Sequence, residues 1–161
     1  VIQDRIGWKP VWVVTKFADD AAFERGEHFE KNTIEGNLLL NEGITEFLAL
    51  LAGTGGTAFS NANARLGVGD STTAAGATQT ALQAATNKLY KTMETSFPSV
   101  SNQTITFRAV FGSAEGNFAW EEFSVMNGSD ETPAKNLNRK VSAQVAFGHN
   151  VRKSARNSHA M

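Results

Sequence analysis

Alternation of apolar and polar residues in the stretch QTITFRAVFG is the feature that most limits the fold of this chain. Ile105, Phe107 and Ala109 fall on one face of an extended strand, while Thr106 and Arg108 fall on the other. A strand with one apolar face buries that face against a second layer of structure. The alternation therefore predicts a strand of a sheet that packs on a hydrophobic core.

Further short strands are predicted on both sides of this stretch. Residues 8–17, rich in Trp and Val, predict a first strand with Pro10 near its start, and residues 27–35 predict a second strand that pairs back on it. The stretch ARLGVGD predicts a short buried strand. NFAWEEFSVMNG predicts another, with a bulge at residues 121–122. A last strand is predicted through Val141, Ala143, Val145 and Phe147.

One helix is predicted over residues 41–52. Asn41 suits the N-cap, Glu42 suits the first turn and Gly53 suits the C-terminal end. Large apolar residues recur at helical spacing and form one stripe: Ile44, Phe47, Leu48 and Leu51. We expect a mainly β, antiparallel, β-sandwich-like fold with this helix packed on one of its sheets.

The segment ARLGVGDSTTAAGATQTALQAATNKL raises the question of a phosphate-binding loop. It has no lysine where a P-loop requires one, and Gly67 and Gly69 lack the third glycine of a dinucleotide fingerprint. We expect the two glycines to let backbone pack closely, and Asp70, Ser71 and Thr72 to form a hydroxyl-capped turn. The segment is then a shaped turn that holds no ligand.

The remaining composition argues against several chemistries. Without cysteine the chain has no disulfide, thiolate metal site or cysteine nucleophile, and a net charge of −1 gives no long-range attraction to nucleic acid or membranes. No apolar run reaches membrane-spanning length, and the first residues do not resemble a signal peptide. His28, His149 and His159 show no metal-ligand spacing, and we expect the last two to be solvated. We expect no cofactor, metal or catalytic residues.

Residues 149–161 are basic and lack periodicity, which predicts a mobile tail or an arm that orders only on a partner. Residues 1–148 are expected to form a single β-rich domain with an N-terminal strand arm. Arg152, Lys153 and Arg156 of this tail are candidate contacts with a protein partner. Nucleic acid is a poorer partner, because no aromatic residue is interleaved for base stacking. The terminal segments 1–16 and 148–161 are those expected to clamp a neighbouring subunit.

About two thirds of the chain resembles a known group of proteins, and the resemblance suggests where the chain acts. Residues 36–141, including GNLLLNEGITEFLALLAGTGG, ITFRAVFGSAEGNFAWEEFSVMNG and NLNRKV, resemble a family of small virion structural proteins of tailed bacteriophages, and more faintly phage tail-fibre and tail-collar proteins. Such proteins usually finish with a further strand rich in Thr and Val, where this chain has GHNVRKSARNSHAM. The resemblance implies a structural role on the phage particle, through contacts with other virion proteins and copies of itself.

Three functions stay open at this point. The first is a non-enzymatic component on the surface of the virion, either a capsid decoration or head-fibre protein or a tail-attached protein. Trp8 and Trp12 are further candidate partner contacts for it. The second is a module that binds a host receptor or glycan through Trp8, Trp12 and Trp120, since sugars stack on aromatic faces. The third is a hydrolase, because a Ser-His-Asp triad assembles from distant residues, although no G-x-S-x-G motif supports it.

Overall fold

The structure is a computed structural model, and it describes residues 7–142 and 151–160. Two helices lie in this part of the chain, α1 (Asp20–Glu24) and α2 (Asn41–Ala52). The strands are β1 (Lys9–Phe17), β2 (His28–Glu35), β3 (Leu38–Leu39), β4 (Arg65–Gly69), β5 (Lys88–Thr92), β6 (Ser99–Ser101), β7 (Thr104–Phe111), β8 (Glu122–Met126), β9 (Asn136–Val141) and β10 (Arg152–Ala160).

The strands form two five-stranded sheets that face each other. Sheet A has the order β2-β1-β10-β7-β6, and sheet B has the order β3-β9-β8-β4-β5. Neighbouring strands in both sheets run antiparallel. The predicted fold class, a mainly β sandwich-like fold with antiparallel strands and one prominent helix, is therefore confirmed.

The core lies between the two sheets. Phe107 and Ala109 of β7 are fully buried, which confirms the apolar face predicted from their alternation. Trp12 of sheet A meets Phe123 of sheet B with their ring centroids 5.2 Å apart. Trp120, which precedes β8, is also fully buried in this cluster. Trp12, Trp120 and Phe123 thus pack together between the two sheets.

Most predicted strands are present, with changes in detail. β1 and β2 pair as expected, and β4 is a short buried strand. The register between β8 and β9 shifts between Val125 and Met126. β8 begins at Glu122, and the Glu121 N–H donates to the carbonyl of Gly69, the strand partner of Glu122, so the bulge predicted at residues 121–122 stays a prediction. The predicted last strand ends at Val141 as β9, and Ala143, Val145 and Phe147 lie outside the described residues.

The basic C-terminal segment is a central strand instead of the predicted mobile tail. β10 lies between β1 and β7, with Arg156 opposite Val13 on one side and Arg108 on the other. Residues 9–16 and 153–160 therefore pair with each other inside sheet A, and these parts of the terminal segments are not free arms. Apolar alternation does not mark β10, because its inward face carries mostly polar side chains: Lys153, Ala155, Asn157 and His159.

Helix α2 has the predicted length and the predicted end. Gly53 adopts the left-handed conformation, with φ 65°, that closes many helices. The predicted N-cap is wrong by one residue: Asn41 is the first helical residue, and Leu40 occupies the cap without a side-chain hydrogen bond. The backbone N–H of Leu40 donates instead to the Leu137 carbonyl of β9, at 3.1 Å, which ties the start of the helix to sheet B.

Candidate docking surface

Helix α2 turns a glycine and two carboxylates toward its own sandwich. A Cβ atom added at Gly43 would lie 2.6 Å from the backbone of Leu137, so only glycine allows the helix to lie this close to β9. The carboxylate of Glu42 accepts a hydrogen bond of 2.6 Å from the backbone N–H of Asn136. Glu46 accepts one of 2.8 Å from the side-chain amide of Asn127. The charged residues of α2 are thus bound to their own chain.

The predicted apolar stripe of α2 faces solvent. Ile44 is 40 %, Phe47 46 %, Leu48 54 % and Leu51 74 % exposed, and we call these four residues the α2 face. The expected packing of the helix on a sheet is present, on β9 of sheet B, but it does not use this stripe. The physical reason lies on the opposite side of the helix, where Gly43 and the two carboxylates already make the contacts with sheet B.

An apolar pocket of about 230 Å³ opens beside the α2 face. Phe47 of the α2 face forms part of its wall, together with Val100 of β6 and Ile105 of β7. Val100 is itself 73 % exposed, so it extends the apolar surface beyond the pocket. The α2 face, the pocket and Val100 therefore make one continuous apolar surface at this end of the sandwich.

His159 of β10 lies at the buried side of this pocket and is not the solvated residue expected from the sequence. Its ring stacks in a tilted arrangement on Trp8, with centroids 4.7 Å apart. Its Nε2 atom contacts the side-chain amides of Asn138 and Asn157, and its Nδ1 atom has no hydrogen-bond partner among the described residues. Burial lowers the pKa of His159 to about 4, so the imidazole is neutral at pH 7.

The amides of the glycine-rich segment hold a carboxylate of the chain itself. The backbone N–H groups of Gln83 and Ala84 donate to the two oxygens of Glu122, at 2.9 and 2.7 Å. A Cβ atom at Gly69 would lie 2.4 Å from one of these oxygens, and one at Gly67 would lie 2.4 Å from the Tyr90 ring. The prediction that both glycines allow close packing is confirmed.

Local polar contacts hold the residues after β4, although the predicted turn at Asp70, Ser71 and Thr72 is not assigned there. The backbone N–H of Thr73 donates to the Ser71 hydroxyl at 3.2 Å. The side chain of Asn87 donates to the Asp70 carboxylate at 2.7 Å, and the Asp70 N–H donates to the Asn87 carbonyl. These bonds fasten the start of the glycine-rich segment to the residues just before β5.

Glu122 is half of an ion pair that is wholly buried. Its carboxylate accepts a hydrogen bond of 2.8 Å from Nε of Arg139 on β9, and Nη2 lies 2.7 Å from the same oxygen as an ion-pair contact. Neither side chain is exposed to solvent. The remaining guanidinium nitrogen of Arg139 donates to Gln79 at 2.9 Å. Burial excludes solvent from both charges. The pair therefore fixes the glycine-rich segment over the outer face of sheet B and offers no group to a substrate.

The five predicted partner contacts do not come together. Trp12 is fully buried in the core, and Lys153 is fully buried where its ammonium donates to the Asn117 side chain at 2.7 Å. Burial lowers the pKa of Lys153. Trp8 is half-buried beside the pocket. Arg152 and Arg156 stand on sheet A, where Arg152 binds Asp20 at 2.8 Å.

The structure does not bring together the residues proposed for sugar stacking or for a metal site at His28 and Glu30. Trp12 and Trp120 are both fully buried, so they form no exposed platform for a sugar ring. Glu30, which shares a strand face with His28, binds Lys16 at 2.7 Å, and this contact holds the pKa of Glu30 below its usual value. Over residues 7–142 and 151–160, no cluster of three metal-ligating side chains is present and no helix is long and apolar enough to cross a membrane.

The sequence did not predict the α2 face as a contact surface, although its apolar stripe is visible in the sequence. Helical periodicity shows that an apolar stripe exists, but it does not show which side of the helix meets the sheet. Compared with known proteins, the chain matches no protein-family model, no curated protein and no solved structure.

Proposed function

We propose that this chain is a non-enzymatic structural component of a tailed-phage virion, located at the particle surface, that acts by docking on other virion proteins. It would be a capsid decoration or head-fibre protein, or a tail-attached protein. The observation that carries the proposal is the outward α2 face. Four large apolar side chains of one helix face water while the helix carboxylates are bound inward. Large exposed apolar patches on soluble proteins mark interaction surfaces.

The energetics of the α2 face suit a docking role. Burying a Leu, Ile or Phe side chain completely contributes about 1.5–3 kcal/mol. Scaled by the exposed fractions of its four residues, covering the α2 face would contribute on the order of 3–6 kcal/mol. Association itself costs about 4–15 kcal/mol of lost translational and rotational freedom. A stable contact therefore needs the α2 face together with the surface around it, or many copies on one particle.

Two further arguments support the proposal: the resemblance to phage proteins and the chemistry of the glycine-rich segment. The resemblance of residues 36–141 to virion proteins of tailed phages supplies the setting. The glycine-rich segment, which has the composition of a phosphate-binding loop, has two of its backbone amides bound by Glu122. A buried ion pair and a packed turn suit a durable scaffold, and neither provides an accessible acid, base or nucleophile.

Particles of the phage that encodes this chain provide the test. We would purify wild-type particles and particles carrying L48E, and measure the amount of the chain per particle by quantitative mass spectrometry. Phe29 on the edge strand β2 is 58 % exposed, so F29E is a matched control that adds the same charge elsewhere. We expect wild type and F29E to be incorporated equally and L48E to be lost. Absence of the chain from wild-type particles would refute the virion role.

A further inference from the structure

We infer that the α2 face and its adjoining pocket are covered by a second copy of this chain, which makes the protein a homo-oligomer through this surface. The inference rests on the proposed docking function and names the partner of that same surface. It draws on three features: the shape of the surface, the placement of charge around it, and the area that it leaves uncovered.

The shape of the surface allows it to pair with itself. In a two-fold interface the same patch is used on both subunits, so it must contain both a projection and a matching hollow. Leu48 and Leu51 are the most exposed residues of the α2 face, and Phe47 of the same face lines the pocket of about 230 Å³. A cavity of about 150 Å³ is large enough for a benzene-sized group. The pocket therefore has room for one leucine side chain from the facing copy.

The placement of charge favours a protein surface of the same kind over lipid or nucleic acid. The two carboxylates of α2, on Glu42 and Glu46, are bound to their own chain, and α2 contains no lysine or arginine. Helices that lie on membranes typically carry Lys and Arg on their polar face, and nucleic-acid surfaces require the same residues. Two uncharged α2 faces can meet without repulsion between like charges.

The area of the surface suits the centre of an ordinary interface. The α2 face and Val100 together expose on the order of 400 Å² of apolar surface, which is in the range of functional patches. A standard interface covers about 800 Å² per partner, with an apolar centre and a polar rim. Exposed residues without charge surround the apolar surface and can supply that rim: Asn41, Thr45, Asn102 and Gln103.

Sedimentation velocity of the full chain over a concentration series tests the inference directly. We expect wild type and F29E to form the same oligomer, and L48E to raise the dissociation constant at least a hundredfold. Circular dichroism and thermal unfolding would check that L48E keeps the fold. A second measurement uses the absence of cysteine from the chain. L48C should cross-link between copies with a short bis-maleimide reagent, whereas F29C, on the edge strand β2, should not.

The outcomes separate this inference from the proposed function. A wild-type chain that is monomeric up to about 1 mM, or an oligomer that L48E leaves intact, would overturn the inference. If such a monomer still entered particles in a Leu48-dependent way, the virion role would remain and the partner would be another protein. Binding of the wild-type chain to phosphatidylcholine vesicles that L48E abolishes would also overturn it. An L48E-sensitive oligomer absent from particles would uphold it and refute the virion role.

Discussion

Replacing Glu122 by glutamine should lower the free energy of unfolding by about 3–5 kcal/mol. The carboxylate is fully buried, pairs with the charge of Arg139 and accepts three hydrogen bonds: from Nε of Arg139 and from the backbone N–H groups of Gln83 and Ala84. An amide of the same shape removes the negative charge and keeps one acceptor oxygen. The buried guanidinium then lacks its counter-charge, and one backbone N–H faces an NH₂ group.

The size of the effect follows from burial. Removing one member of a buried ion pair costs about 3–5 kcal/mol, because the remaining charge is desolvated without compensation. A buried donor left without an acceptor costs about 1–3 kcal/mol, and this loss overlaps with the first because both concern the same carboxylate. A domain of ordinary stability unfolds with about 5–15 kcal/mol. The E122Q variant should therefore retain the fold only marginally.

Urea denaturation followed by tryptophan fluorescence measures this loss, since Trp12 and Trp120 are buried in the core. D20N is the matched control: it neutralises the acid of the Arg152–Asp20 pair, in which Asp20 is 69 % exposed. Exposed pairs contribute at most about 1 kcal/mol. An E122Q loss no greater than that of D20N would refute the assignment of Glu122 as the charge partner of Arg139.

Three further changes test other contacts. G69A should destabilise the chain by about 1–3 kcal/mol, because its Cβ atom would overlap Glu122, whereas G76A, whose nearest neighbour would be 3.7 Å away, should leave the urea midpoint nearly unchanged. G43A should push α2 away from β9, which hydrogen exchange of the α2 amides would register as lost protection; unchanged protection would argue against the close contact. The folded-state pKa of His159, about 4, lies below its usual 6.5, so the unfolded chain binds the proton first as the pH falls. Its contribution to stability is complete above pH 6.5 and declines toward pH 4 by on the order of 3 kcal/mol; H159Q should remove that part of the slope, and parallel profiles would contradict a buried neutral imidazole.

Periodic signals in the sequence account for most of what could be predicted. β7 alternates apolar and polar residues, and α2 combines a 3.6-residue stripe with a closing glycine, so both were placed correctly. The roles of Gly67 and Gly69 followed from the absence of any complete phosphate-binding motif around them. These features depend on short stretches of chain, and local chemistry is enough to specify them.

Two features depend on contacts between distant residues and were missed. β10 has few apolar residues, and its buried side chains are satisfied by partners on other elements, as when Asn138 donates to Asn157 at 2.9 Å. The orientation of α2 depends on Gly43 meeting the backbone of Leu137. A stripe shows that a helix has an apolar face, but only such tertiary contacts decide whether that face turns inward or outward.

The central position of β10 has a consequence for synthesis of the chain on the ribosome. All the strands of sheet B lie between residues 38 and 141, so that sheet can begin to assemble before β10 has been translated. Sheet A cannot do the same, because β1 and β7 are joined only through β10. Until residues 152–160 emerge, sheet A of the nascent chain is incomplete. The sandwich is completed only when β10 pairs with β1, and these strands lie at opposite ends of the sequence, a long-range contact that forms slowly.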